Sequence, residues 1–185
     1  MPNGSLIGLN RLSNHKAKHT EAIVIGDGPG KKQLLESPEE QILKFIDNKS
    51  VAAINRAGIE WPHRLDYWCT YHAEWISRWW ADRELKGYTE PGWVVVSANK
   101  RNKIDHIPNY NITRQVQGLN MGGTSTLMAA MYLLDVGYAP IHFYGCDLTG
   151  PMYSKERRFW RILKGEPLIF HGSDWFQRGN FQEEE

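Results

Sequence analysis

Glu21-Ala22-Ile23-Val24-Ile25 runs without a break into Gly26-Asp27-Gly28-Pro29-Gly30. An apolar, β-branched run closed by three glycines and a proline reads as a strand that stops at a tight turn. The same grammar recurs down the chain. Val51 to Ile54 ends at Asn55-Arg56, and Leu65 to Thr70 ends at Tyr71-His72. Trp93 to Val96 ends at Ser97-Ala98-Asn99, and Ile141 to Tyr144 ends at Gly145-Cys146-Asp147. Helical patterns separate these runs. Ser37-Pro38-Glu39-Glu40 has the form of a helix start: Ser37 caps, Pro38 takes the first helical position and Glu40 completes a capping box. Ile42, Leu43, Phe45 and Ile46 follow as an apolar stripe. Glu74 to Leu85 reads as a second helix with Ile76, Trp79, Trp80 and Leu85 on its apolar side. Gly122-Gly123-Thr124-Ser125 opens a third, capped by Thr124 or Ser125. Its buried face is Leu127, Met128, Met131, Tyr132 and Leu134, with Gly137 as C-cap.

Short apolar strands alternating with helices predict an α/β fold: a single Rossmann-like domain over residues 21–185 with a mostly parallel sheet, flanking helices and right-handed crossovers. Residues 1–20 are polar and read as a flexible arm. Residues 100–121 are polar and aperiodic and read as a long loop. The tail reads as a helix from Ser154 to Leu163 and then an irregular stretch that contains His171.

The chain has 185 residues, 22 Lys plus Arg against 21 Asp plus Glu, and a net charge of +1. That suits one domain with one core, and it argues against a polycation acting on duplex DNA. No apolar run approaches the roughly 20 residues of a membrane span, and a signal-peptide stretch is not seen, so the expected location is cytoplasmic. Two cysteines far apart, Cys69 and Cys146, exclude a disulfide scaffold, and no residues have metal-ligand spacing. Eight tryptophans are present. The helical spacing of Trp75, Trp79 and Trp80 favours core or interface packing over base stacking. Cys146 reads as a small core residue.

In a parallel sheet, ligands bind beyond the carboxyl ends of the strands. Polar and glycine residues fall at those ends: Gly26, Asp27, Gly28, Pro29, Gly30, Asn55, His72, Ser97, Asn99, Thr124, Ser125 and Asp147. The glycine turn after Ile25 can bring backbone N–H groups close to an anion. It is not a dinucleotide fingerprint, because Lys31 stands where the third glycine would fall and Asn55 ends the second strand in place of an acidic residue. Among the seven histidines, His171 has a modest edge over His72 as a general base.

Several of these elements, in order, resemble the bacterial CMP-sialic-acid-dependent sialyltransferases and the related pterin-pyrophosphokinase and motility-accessory-factor group. Val24 to Gly30 resembles their G-x-G-P-S segment, with Gly30 in place of Ser and Asp27 in place of an Asn. Ala53-Ile54-Asn55-Arg56 resembles their second strand end. Thr124 to Ala130, Gly137-Tyr138 and Ile141 to Asp147 resemble the T-S-G helix, the G-Y turn and the strand ending in G-x-D. The likeness spans residues 22–55 and 122–150. It implies a nucleotide pocket made by Gly28, Asn55 and Ser125, with Asp147 at the rim. It also implies Tyr153 steadying the leaving phosphate and His171 deprotonating an acceptor hydroxyl.

The leading expectation is a nucleotide- or nucleotide-sugar-dependent transferase. It would move a glycosyl group from a CMP-type donor to a hydroxyl acceptor by in-line displacement. Two alternatives stand beside it. One is ATP-dependent phosphoryl or pyrophosphoryl transfer, with Asp27 or Asp147 helping to hold Mg²⁺. The other is a non-catalytic nucleotide- or nucleic-acid-binding module that uses the Trp/Arg region. A homo-oligomer is compatible with all three.

Overall fold

The computed structural model describes residues 17–97, 113–116, 124–146, 160–161 and 163–172, with backbone alone at 97 and 113–116. The elements in order are β1 (Glu21–Ile25), α1 (Lys31–Leu35), α2 (Glu39–Ile46), β2 (Lys49–Ile54), α3 (Ala57–Glu60), β3 (Tyr67–Thr70), a 3₁₀ turn (Ala73–Trp75), α4 (Ile76–Leu85), β4 (Trp93–Ser97), β5 (Thr113–Val116), α5 (Ser125–Val136), β6 (Ile141–Tyr144) and β7 (Leu168–His171).

The strands form one seven-stranded sheet in the order β5-β4-β3-β2-β1-β6-β7. Every pairing is parallel, so the α/β Rossmann-like expectation holds. Strand alternation divides the core in two. On one face Ala22, Val24, Ala52, Ile54, Tyr67, Cys69, Ile141 and Phe143 pack with α5. On the other, Ile23, Ile25, Val51, Ala53, Trp68, Val94 and Val96 pack with residues of α1, α2, α3 and α4. The chain changes direction at β1: β2 lies on one side of it and β6 on the other. In open parallel sheets the carboxyl ends of the strands that flank such a switch point, here β1 and β6, are where ligands bind.

α5 follows its expectation closely. The Thr124 hydroxyl oxygen accepts from the Leu127 N–H, and Gly137 closes the helix at φ 110° in the left-handed region. A buried hydroxyl chain ties this layer to the sheet: Tyr138 lies 2.8 Å from Ser50 and 2.9 Å from Tyr67.

Several expectations need correction. Residues 100–121 are not all loop, because Thr113–Val116 adds an edge strand. The tail is not all irregular, because Leu168–His171 pairs with β6 as the other edge. Ser37 does not cap α2: Pro38 holds the cap position, and the Ser37 hydroxyl donates to the Gln33 carbonyl. Leu85 is 86% exposed, and Arg83 takes the buried place at the end of α4. The helix expected from Ser154 falls mostly outside the described residues, as do residues 1–16 of the arm.

Candidate functional site

The glycine turn is built by close approach. Gly26 N–H donates to the Tyr144 carbonyl and Gly28 N–H donates to the Gly145 carbonyl, both at 2.8 Å. A Cβ on Gly26 would stand 2.4 Å from the Gly145 oxygen and 2.7 Å from the Cys146 Sγ. Two of the N–H groups expected to face an anion are therefore committed to the end of β6. What the glycines provide first is contact between two strand ends across the switch point. Gly30 occupies the cap position of α1 after Pro29, and Gly172, just past β7, reaches the same place: its Cβ would meet the Gly30 Cα at 3.8 Å. Asp27 is half-exposed and ion-paired with Lys31 at 3.7 Å. Burial raises its carboxyl pKa, while Lys31 opposes that shift. Lys31 also pairs with Glu60.

On the β2 side the predicted residues converge. Asn55 adopts φ 51°, a conformation that asparagine tolerates better than other non-glycine residues. Its Oδ1 receives the Thr70 hydroxyl at 2.8 Å and the Ser125 hydroxyl at 3.0 Å. Each hydroxyl in turn accepts a backbone N–H, from His72 to Thr70 and from Tyr71 to Ser125. The hydroxyls therefore donate to Asn55, which assigns its oxygen to them and leaves the Nδ2 hydrogens to point elsewhere. The Trp68 indole N–H, at 2.7 Å from the Asn55 carbonyl, anchors the backbone from below. Thr70 is the member of this cluster that sequence reading missed, although it ends a predicted strand. Thr124, beside Ser125, is spent on capping α5.

On the β6 side stands a group that only the strand register reveals. His171, expected in a loop, is the last residue of β7 and lies opposite Tyr144. Its ring stacks on Tyr144, with centroids 4.2 Å apart and planes 4° from parallel. Its Nε2 is 3.0 Å from the Nδ1 of His142. Burial lowers the pKa of both imidazoles, with Glu21 opposing the shift at His142 and His142 adding to it at His171. Both rings are thus held toward the neutral form. His72, the competing candidate, is a more exposed side chain 3.6 Å from Glu74. A shallow groove lined by Gln33, Ser37, Gln41, Ile42, Phe45 and Tyr144 runs beside this pair on the α1/α2 face.

The other predicted residues divide as follows. Asn99, Asp147 and Tyr153 lie outside the described residues, and Ser97 contributes its backbone to β4. Cys146 is buried, as expected of a packing residue. Trp61, Trp68, Trp80 and Trp160 are fully buried, and Trp75 is exposed at 47%. The packing reading of the tryptophans therefore holds for most of them. Among the described residues no three His, Cys, Asp or Glu groups gather as a metal site, and no helix is long and apolar enough to cross a membrane.

The sequence matches no family model and no curated protein. The fold does have solved neighbours. The sialyltransferase CstII from Campylobacter jejuni, in complex with the substrate analogue CMP-3FNeuAc, superposes with a TM-score of 0.56 at 13% identity, covering 88% of this chain and 84% of that one. The same enzyme with cytidine-5'-monophosphate gives 0.54 at 13% identity over 82% and 79%. Monomeric CstII gives 0.55 at 11% identity over 82% and 80%. The architecture is therefore sialyltransferase-like, in keeping with that part of the resemblance read from the sequence.

Proposed function

We propose that this protein is a nucleotide-sugar-dependent glycosyltransferase that uses a CMP-type donor and a hydroxyl acceptor. The observation that carries the reading is the Asn55–Thr70–Ser125 cluster, set beside the switch point of a fold shared with an enzyme solved with CMP and a CMP-sugar analogue. Oδ1 of Asn55 is saturated by two hydroxyls, so its amide presents N–H donors. Those donors suit a phosphate oxygen or a pyrimidine carbonyl. Gly26, Asp27, Gly28, Pro29 and Gly30 would wall the nucleotide from the β1 side, with Thr124 and Ser125 at the start of α5. Asp147 at the rim, Ser97 and Asn99, and Tyr153 on the leaving phosphate complete the proposed set.

His171 serves as the general base. It ends β7, three strands from β2, which at about 4.8 Å per strand is roughly 14 Å across the sheet. A nucleotide near Asn55 would therefore extend its sugar toward His171. Burial supports the role, because it keeps the imidazole neutral and able to take a proton.

Calorimetric titration with CMP and CDP tests the proposal. Binding of CMP, weakened about tenfold or more by Asn55→Ala through loss of the donor pair, is the expected result. A folded protein that binds no nucleotide would overturn it.

A further inference from the structure

His142 and His171 stand on neighbouring strands, on the face that α1 and α2 cover, with rings stacked 5.3 Å apart at 23°. Behind His142, Glu21 at the start of β1 places Oε2 3.7 Å from His142 Nε2. Lys49 of β2 approaches the same carboxylate oxygen at 3.9 Å. The remaining groups at this position are the phenol of Tyr144, beneath His171, and the apolar Phe45 ring of α2, edge-on to Tyr144 at 6.1 Å.

A neutral imidazole carries one N–H, and its other nitrogen is a lone pair. The Glu21 carboxylate favours the hydrogen of His142 on Nε2, which leaves Nδ1 as the acceptor. That acceptor is 3.0 Å from His171 Nε2, so the hydrogen of His171 belongs on Nε2. The lone pair of His171 is then on Nδ1. Stacking against Tyr144 fixes the plane in which it points.

We infer that Glu21 and His142 are positioning residues that lock His171 in the tautomer whose Nδ1 receives the proton of the acceptor hydroxyl. The inference rests on the transferase reading and adds residues to the same site. In the step, the acceptor oxygen forms a bond to the anomeric carbon of the donor. The bond from that carbon to the phosphate oxygen breaks, and its electron pair leaves with the nucleotide. The hydroxyl hydrogen passes to Nδ1 of His171. The resulting imidazolium keeps its Nε2–H on His142, with the Glu21 carboxylate behind it balancing the charge.

The test combines two readouts on the full chain. Nitrogen-15 NMR of the wild-type histidines should show His171 protonated on Nε2 at neutral pH. In His142→Leu that preference should be lost. With a CMP-activated sialic acid as donor, His142→Leu should lower kcat for CMP release by about 10- to 100-fold while leaving KM near its wild-type value. It should also move the acid limb of the kcat–pH profile. His142→Asn, whose Oδ1 stands near the place of Nδ1, should recover most of the rate. Wild-type His171 carrying its hydrogen on Nδ1, or an unchanged kcat–pH profile in folded His142→Leu, would overturn the inference. If the wild-type protein turns over no CMP-sugar, the transferase reading fails, and the NMR tautomer by itself decides whether the lock exists.

Discussion

The two flanks of β1 solve different problems. Toward β2 and β3, the site is made of an amide and two hydroxyls, Asn55, Thr70 and Ser125, whose mutual hydrogen bonds carry no ionisable group. Toward β6 and β7 it is made of imidazoles, His142 and His171, whose charge is set by burial and by Glu21. The first flank fixes geometry and the second fixes protonation. Packing follows the same division. Behind Asn55 lies the buried indole of Trp68, in one core cluster with Trp61 and Trp80, whereas Ile169 on β7 is 37% exposed and both histidines are only half-buried. On the proposed reading, the rigid flank suits the nucleotide and the half-open one suits the proton acceptor. Substitutions that separate the two should therefore differ in kind: loss of stability on the first and pH-dependent change on the second.

The largest effect is expected at Arg83. Its side chain is 1% exposed, and its guanidinium donates to the carbonyls of Gly58, Trp61, His63 and Thr89, fastening α3 and the following loop to α4. Burial lowers its pKa to about 10, so it remains a cation at neutral pH. Arg83→Met leaves those four carbonyls without their donor. At about 1 kcal/mol or more for each buried group left unsatisfied, the loss should reach about 4 kcal/mol in denaturant unfolding. Retention of full stability would show that the rigid flank does not depend on this clamp.

Gly58→Ala is the next largest and links packing to the site. A Cβ at Gly58 would lie 2.2 Å from the Trp68 indole, whose N–H holds the Asn55 carbonyl. Overpacking of this kind costs about 1–3 kcal/mol. The displaced indole should also weaken CMP binding several-fold, measured beside stability in the same preparation. If stability falls and affinity does not, Trp68 supports the core alone.

These two positions show where sequence reading stops. The strand ends were legible because most of the apolar runs close on Gly, Asn or Ser; that pattern marks Asn55, and the glycine-rich start of α5 marks Ser125. Their meeting, across 70 residues of chain, was legible only through the family resemblance, and Thr70, which closes the cluster, was not legible at all. β7 was missed because four residues after Pro167, with Ile169 facing outward, make a weak periodic signal. β5 was missed because Thr113-Arg114-Gln115-Val116 is polar, as an edge strand can be. The His142–His171 pair depends on the Tyr144–His171 register and on nothing local. Arg83 was invisible for another reason: an arginine on a helix that also carries Arg78 signals solvent, and only the converging carbonyls reveal that it is buried.

The smallest expected effect lies on the imidazole flank and appears only with acid. In the folded protein the pKa values of His142 and His171 are depressed below the ordinary 6.5. Between those lowered values and 6.5, the unfolded chain binds more protons than the folded one. Stability is therefore fully present above about pH 6.5 and falls as the pH drops through that window. Geometry points the same way, because two protonated rings would set N–H against N–H across a 3.0 Å contact. The unfolding midpoint of the wild type should decline between pH 7.5 and 5, and part of that decline should vanish in His142→Leu. Asn55, Thr70 and Ser125 do not titrate in this range, so Asn55→Ala should shift the whole stability curve without changing its slope with pH. An equal change of slope in the two variants would mean that the flanks are not independent, and that the rigid cluster and the proton-holding pair act as one unit.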